Sequence, residues 1–528
     1  MATQKWLMFC VLVILSLSSV SWSAKNTFDE EIGNQCGFTR HPSLCIETLT
    51  ESGTGNQAEF MSVLVNKTIS ESKLPVSNFE QLSVHFVSQE AQLARMAMDY
   101  CHELMEMSLK RLNQAFDAIK ESPRKHKHDI QTWLSAALTF QQSCKDEAKA
   151  HAPTNVFMAE ISKKMELLSQ LGSNSLALVN RITGNPKTKT PSGRRLMEEH
   201  IFPSWISARD RKLLQSTEIQ ANAVVAKDGT GNYKTISEAI QAATGSRFVI
   251  HIKSGVYSEK INTNKDGITL IGDGKYSTII TGSSSVGGGG SSLQGSATFT
   301  ISGDGFIARD IGFQNTAGHE AGQAVALTVA SDHAVLYRCS LVGYQDTLYA
   351  YSLRQFYREC DIYGTVDFIF GNAAAVFQSC NLAFQQRGSG GAYEVILASG
   401  RSDPGQNTGF SVQNCRISRG SDSSAAKSAY LGRPWKDYSR AVVMQSTIDA
   451  AISTQGWVEW PGASGSRYKT LYFAEFENIG PGAGTSGRVN WPGFHVIGRP
   501  EASGFTVANF IGGTSWLPST GVTFNAGL

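Results

Sequence analysis

Two different spacings of apolar residues divide this chain. From about residue 30 to 182 they recur at three- and four-residue steps, and no Gly or Pro interrupts them over Val84 to Leu112 (VHFVSQEAQLARMAMDYCHELMEMSLKRL). That period gives helices with one buried face. Ile130 to Ser143 and Val156 to Leu178 repeat it, with breaks at Pro123 and Pro153, where the ring removes a helical donor. Several helices on short connections predict an antiparallel four-helix bundle, an all-α N-terminal part.

Beyond Gln215 the alternation shortens to two and a motif repeats: VLYRCSL (335–341), FYRECDI (356–362), VFQSCNL (376–382), SVQNCRI (411–417) and VVMQSTI (442–448). Cys339, Cys360 and Cys380 follow one another by 21 and 20 residues. Short strands at such a period, with loops of varying length, predict an all-β right-handed parallel β-helix whose rungs stack about 4.8 Å apart. An antiparallel sandwich would need turn signals every 8 to 12 residues, about half that step. On this reading the chain has a leader over 1–24, a helical domain over 25–182, a linker over 183–217 and a β-helix over 218–528.

Composition agrees with that division. Fifty glycines and only 17% charged residues suit a body of tight turns, and a net charge of +2 gives no reason to expect nucleic acid as a partner. Lys5, the apolar run Leu7 to Leu17 and the small residues Ser21, Ser23 and Ala24 form a secretory leader. The run is too short for a membrane span, and none follows. In an oxidising compartment Cys36, Cys45, Cys101 and Cys144 make two disulfides, with three pairings open. Cys339, Cys360, Cys380 and Cys415 form an internal column in which Cys360 and Cys380 could bridge neighbouring rungs. No CxxC or interleaved His suggests a metal. Asn66-Lys67-Thr68 is a glycosylation sequon. The linker is polar and Pro-rich and leads to Arg194-Arg195-Leu196-Met197 and Arg211-Lys212-Leu213-Leu214, dibasic clusters in an exposed joint and so candidate sites for a processing protease.

The candidate chemistry sits in the repeats. Asp346 and Asp367 are 21 residues apart, the same step as Cys339 to Cys360, so they fall on adjacent rungs and one face. An Asp is unfavourable in a strand, and two at matching positions call for a reason; hydrogen bonding to loops is the bland one. Two close carboxylates suit a retaining glycosidase, or acyl transfer with one as nucleophile and one as acid and base. Gln345 and, about one rung earlier, Gln323 favour acyl transfer, because two amide donors make an oxyanion hole. Arg433, in a Gly-Pro loop, is placed to hold Asp367 ionised and to lower its pKa. Trp435 and Trp457 offer flat faces for sugar rings.

These residues lie in GDGFIARDIGFQNTAG (303–318), QAVAL (323–327), YQDTLY (344–349), GTVDFIFGNAA (364–374), LGRPWKDYSR (431–440) and GWVEW (456–460). Several long motifs in this order resemble plant pectin methylesterases from about Ala223 to Leu528. The N-terminal cysteines with WLSAALT (133–139) resemble the pectin methylesterase and invertase inhibitor domain, and imply the pairs Cys36–Cys45 and Cys101–Cys144. The resemblance implies a secreted cell-wall enzyme that removes methyl esters from homogalacturonan without a cofactor. Asp367 would be the nucleophile, Gln323 and Gln345 the oxyanion donors, Asp346 the acid and base, and Arg433 the partner of Asp367. Arg433 and Gln323, with Tyr349, Trp435 and Trp457, would line the sugar groove. It also implies a proteinaceous inhibitor as partner and silence until the joint is cut after Leu214. Three positions depart from the family pattern: Ser292 or Leu293 stands for a substrate-contacting Thr, Gly322 for a polar residue, and Ser399 for Gln. Competing readings are an inhibitor-like binding protein, or a β-helix polygalacturonase or pectate lyase; no acidic calcium cluster supports the lyase.

Overall fold

The computed structural model describes residues 29–52, 55–72, 89–151, 156–182, 220–287, 292–385, 393–420 and 428–528. The expectations for the leader over 1–24 and the joint over 183–217, Arg211 to Leu214 included, lie outside them. The chain divides into two compact units, Met1–Pro191 and Ser192–Leu528.

In the first unit the helical period yields α1 (Pro42–Thr50), α2 (Gln57–Glu71), α3 (Gln89–Glu121), α4 (Lys127–His151) and α5 (Val156–Asn180). α3 packs on α4, α4 on α5, α5 on α2 and α2 on α3, which closes a four-helix bundle with α1 against α2 and α5. Phe60, Leu64, Leu112, Leu134, Leu138 and Leu171 fill its core. α2 begins with a capping box: Asn56 accepts from the Ala58 and Glu59 amides, and Glu59 accepts from the Asn56 amide. Such a cap contributes about 1 kcal/mol. The disulfides are Cys36–Cys45 and Cys101–Cys144, the second tying α3 to α4. Asn66 is exposed on α2, while Thr68 of its sequon is buried and donates to the Leu64 carbonyl at 2.8 Å.

In the second unit the described strands pair in parallel into sheets of eleven, seven and eight. The chain visits the sheets in turn, so the body is a right-handed parallel β-helix. Leu327, Leu348, Ile369 and Leu397 stand in register and form one column of its interior. Val335, Phe356 and Val376 point out of the eleven-stranded sheet and are covered by Val507, Phe510 and Trp516 from the C-terminal helical turns. That sheet is covered on its outer face there as well, so strands such as Ala334–Tyr337 and Ala374–Gln378 bury residues at successive positions.

A left-handed residue makes one corner of each rung. Arg338, Glu359, Ser379, Asn414 and Gln445 have φ of 50, 54, 55, 55 and 51°. The strain is offset by a ladder of backbone bonds, for example Arg338 to Arg358 at 2.9 Å and Asn414 to Met444 at 3.0 Å. The cysteine column follows directly on these corners. All four thiols are buried and free, so the expected Cys360–Cys380 bridge is absent. Stacked rungs hold their Cβ atoms side by side at about the 4.8 Å strand spacing, beyond the roughly 3.5–4.5 Å a disulfide takes. Each thiol points to a carbonyl instead, Cys360 to Leu336 at 3.4 Å and Cys380 to Tyr357 at 3.5 Å.

Candidate active site

Both aspartates occupy a second left-handed corner, where the chain enters the seven-stranded sheet. Asp346 has φ 64° and Asp367 φ 50°. Each lies two residues before a paired strand position, Leu348 and Ile369, and the Asp346 amide donates to the Val366 carbonyl at 3.0 Å. The carboxylates therefore project from equivalent points of adjacent rungs. After each aspartate the chain turns straight into the interior: Thr347 and Leu348, and likewise Phe368 and Ile369, are fully buried. Gly364 makes room, since a Cβ there would meet the Phe368 Cβ at 2.1 Å. Gln345, on the rung of Asp346, is bridged in parallel to Gln323 one rung earlier.

The side chains converge on a cavity of about 220 Å3. Gln323, Gln345, Asp346, Asp367 and Arg433 are its polar lining, and Leu293, Phe370, Ala398, Trp435 and Trp460 its apolar lining. Arg433 grips Asp367 with two parallel bonds, Nε to Oδ1 at 2.8 Å and Nη2 to Oδ2 at 2.5 Å. Its Nη1 donates to the Tyr393 hydroxyl at 3.0 Å, and its guanidinium lies 4.3 Å from the centre of the Trp460 ring. The Asp346 carboxyl is 7% exposed, and no hydrogen bond to it exists among the described residues.

Burial raises the Asp346 carboxyl well above the ordinary carboxylate range, and the Asp367 charge raises it further against a pull from Arg433. Asp367 is also raised by burial, with both kinds of pull from Arg433 opposing. The sequence pointed to a lowered value for Asp367. With that residue only 5% exposed, desolvation outweighs the guanidinium. The order of ionisation still follows from the pairing: Arg433 bonds Asp367 and not Asp346, so Asp367 gives up its proton first.

Two of the expected groove residues lie elsewhere. Trp457 is fully buried in the core, stacked on Phe473 at 4.4 Å with its indole N–H on Glu475 at 3.3 Å. It continues the strand ladder through its bridge to Gly432, which turns it inward. Trp460, three residues on, lines the cavity in its place. Tyr349 is 4% exposed and does not line the cavity; it stacks at 4.3 Å on Phe370, which does. Trp435 lines the cavity, edge-on to Phe370 at 6.1 Å. Its ring packs against Gly400, where a Cβ would meet it at 2.8 Å. Sequence reasoning passed over Trp460, Phe370, Tyr393 and Ala398. Trp460 stands in the same GWVEW stretch, and the alternation along 457–460 was the usable signal.

Among the described residues no group of three or more His, Cys, Asp or Glu is placed to hold a metal, and no helix is long and apolar enough to cross a membrane.

Residues 222–514 match the Pectinesterase family model, and residues 30–178 match that of the Plant invertase/pectin methylesterase inhibitor. A relative from Arabidopsis thaliana, "Probable pectinesterase/pectinesterase inhibitor 54", is 47% identical over 95% of this chain and 94% of its own. "Pectinesterase 2" of Citrus sinensis is 42% identical over 98% of each. Among solved structures, pectin methylesterase from carrot is 50% identical, covering 60% of this chain and 100% of its own with a TM-score of 0.57. This chain therefore belongs to the pectinesterase family of carboxylic ester hydrolases, and it carries an inhibitor-family helical domain ahead of the hydrolase.

Proposed function

We propose that the chain hydrolyses the methyl esters of galacturonate units in pectin through an acyl-enzyme on Asp367. The observation that carries this reading is the unequal pair: two buried carboxylates on adjacent rungs, one gripped by Arg433 and the other without a hydrogen bond among the described residues. Ionised Asp367 attacks the ester carbonyl carbon. Gln323 and Gln345 donate their amide N–H groups to the oxyanion that forms. Protonated Asp346 gives its proton to the methoxy oxygen as that C–O bond breaks, and methanol leaves. The Asp346 carboxylate then takes a proton from water, whose oxygen attacks the acyl carbon. The free acid departs, with Asp367 ionised and Asp346 protonated as at the start. Trp435, Trp460 and Phe370 supply the flat apolar faces that a sugar ring needs.

The organisation around that centre is part of the proposal. The leader over 1–24 directs the chain to the cell wall, where Asn66, exposed on α2, carries a glycan. The helical domain keeps the hydrolase silent until a protease cuts the joint after Leu214. A domain match to an inhibitor family and the polar, dibasic composition of the joint support this. Separate inhibitor proteins would then act on the trimmed enzyme.

The test is methanol release from methylated pectin by the full chain and by a form cleaved after Leu214. Methanol without chain shortening or unsaturated products, and faster release from the cleaved form, is the expected result. Shortened chains would favour the polygalacturonase reading, unsaturated ends the lyase, and equal rates would remove the autoinhibition. The tryptophans separate in the same assay. Trp457→Ala should lower unfolding stability by about 3–5 kcal/mol, read from the denaturant midpoint. Trp460→Ala should leave that midpoint within about 1 kcal/mol and raise KM for pectin. Reversed effects would return Trp457 to the groove.

A further inference from the structure

Arg433 has a second set of partners, and these do not depend on the charge of Asp367. The arginine stands on the strand Ser428–Pro434, in register with Ala398 of the strand Tyr393–Ser399. Its Nε and Nη2 bond Asp367, while its Nη1 donates to the Tyr393 hydroxyl at 3.0 Å. The guanidinium also lies 4.3 Å from the centre of the Trp460 ring. Tyr393 is met edge-on by the Tyr430 ring, with centres 5.8 Å apart. Trp460 lines the cavity; Tyr393 is not among the described lining residues, so it reaches the chemistry only through Arg433.

The reaction moves a negative charge across this site and leaves the cation behind. Before attack the charge is on Asp367, whose two bonds hold the guanidinium. As the Asp367 oxygen bonds the acyl carbon and the C–O bond to the methoxy group breaks, Asp367 becomes a neutral acyl group. The proton that leaves with methanol comes from Asp346, so the charge now sits there. Asp346, Asp367 and Arg433 are all buried, and Asp346 already feels the pull of Arg433. An ion pair between those two would lower the basicity of Asp346 at the step where it must take a proton from water. The Tyr393 hydroxyl and the Trp460 ring are the same before and after acylation, so they hold Arg433 through the interval in which Asp367 cannot.

We propose that Tyr393 is a positioning residue for the second half of the reaction: its hydroxyl keeps Arg433 beside Asp367 while that residue carries the acyl group, which leaves Asp346 free to act as base. The inference rests on the acyl-enzyme set out above and adds to it a residue that acts after methanol has left.

The experiment compares the wild type with Tyr393→Phe and Tyr430→Phe, each cleaved after Leu214, in steady-state and rapid-quench methanol release from methylated pectin. Tyr393→Phe keeps the ring and removes only the acceptor for Nη1. Acylation still has the charge of Asp367 to hold Arg433, so kcat/KM should stay within about twofold of wild type while kcat and KM both fall about tenfold. Rapid quench should show a burst approaching about one methanol per enzyme, then the slow steady rate, as an accumulating acyl-enzyme requires. Tyr430→Phe removes a hydroxyl one ring away and should match the wild type in kcat, KM and burst. A fall in kcat/KM as large as that in kcat, an unchanged kcat, or slow turnover without a burst would overturn the proposal. So would a Tyr430→Phe protein that behaves like Tyr393→Phe, because the effect would then not pass through Arg433. Should the melting temperature show that Tyr393→Phe does not fold, Tyr393→Leu takes its place under the same criteria. A wild type that releases no methanol is a different result and sinks the ester-hydrolase reading beneath it.

Discussion

Asp367→Asn is expected to lower kcat/KM for methanol release by at least about 10⁴-fold. Asparagine keeps the size of the side chain and one acceptor for Arg433, so the turn at φ 50° and the neighbouring rungs have no reason to rearrange. What it loses is the charged oxygen that attacks the ester carbonyl. Among the described lining residues the one other carboxylate is Asp346, which burial pushes well above the ordinary carboxylate range. Initial rates of the wild type and the variant, with circular dichroism to show equal folding, make the measurement. If the variant kept a tenth or more of the activity, Asp367 would not be the nucleophile.

Asp346→Asn should have two effects of opposite value. Activity falls by about 10²–10⁴-fold, because methanol departs unprotonated and the acyl-enzyme loses its base. Stability at neutral pH rises. Folding lifts the Asp346 carboxyl above its ordinary pKa, so its contribution to stability is whole below that ordinary value and is lost as pH rises through the folded one. Asparagine does not titrate and has no such loss. The melting temperature of the variant should therefore overtake that of the wild type as pH climbs from about 4. Equal melting temperatures across that range would mean that Asp346 is not held protonated by the fold. The wild-type rate should follow a bell, with an acid limb set by Asp367 above the ordinary carboxylate range and an alkaline limb set by Asp346. The alkaline limb in acylation disappears with Asp346.

Much of this molecule could be read from spacing. The 21-residue step shared by Cys339–Cys360 and Asp346–Asp367 predicted the coil and put both acids on one face, because two residues separated by the length of one rung stack at equivalent points of it. The three- and four-residue apolar steps predicted the bundle, and the period is a local property of a helix. Which way a side chain points at a corner is not local. Trp457 and Trp460 share one short motif, and only the bridge to Gly432 sends the first into the core.

The remaining differences have the same origin. Stacking order placed Cys360 beside Cys380, but the direction of two in-register Cβ bonds keeps their sulfurs apart as thiols. Arg433 was legible as the partner of Asp367, yet the sign of the Asp367 shift depends on how completely the surrounding rungs exclude water. Ser292 and Leu293 were equal candidates along the chain, but the Ser292 hydroxyl accepts from the Gly295 amide and Leu293 lines the cavity. Sequence alone determined the repeat, the two architectures and the acid pair, since these follow from periodicity along the backbone. The tertiary structure decided burial, side-chain direction and proton affinity, since each depends on atoms contributed by rungs distant in the chain.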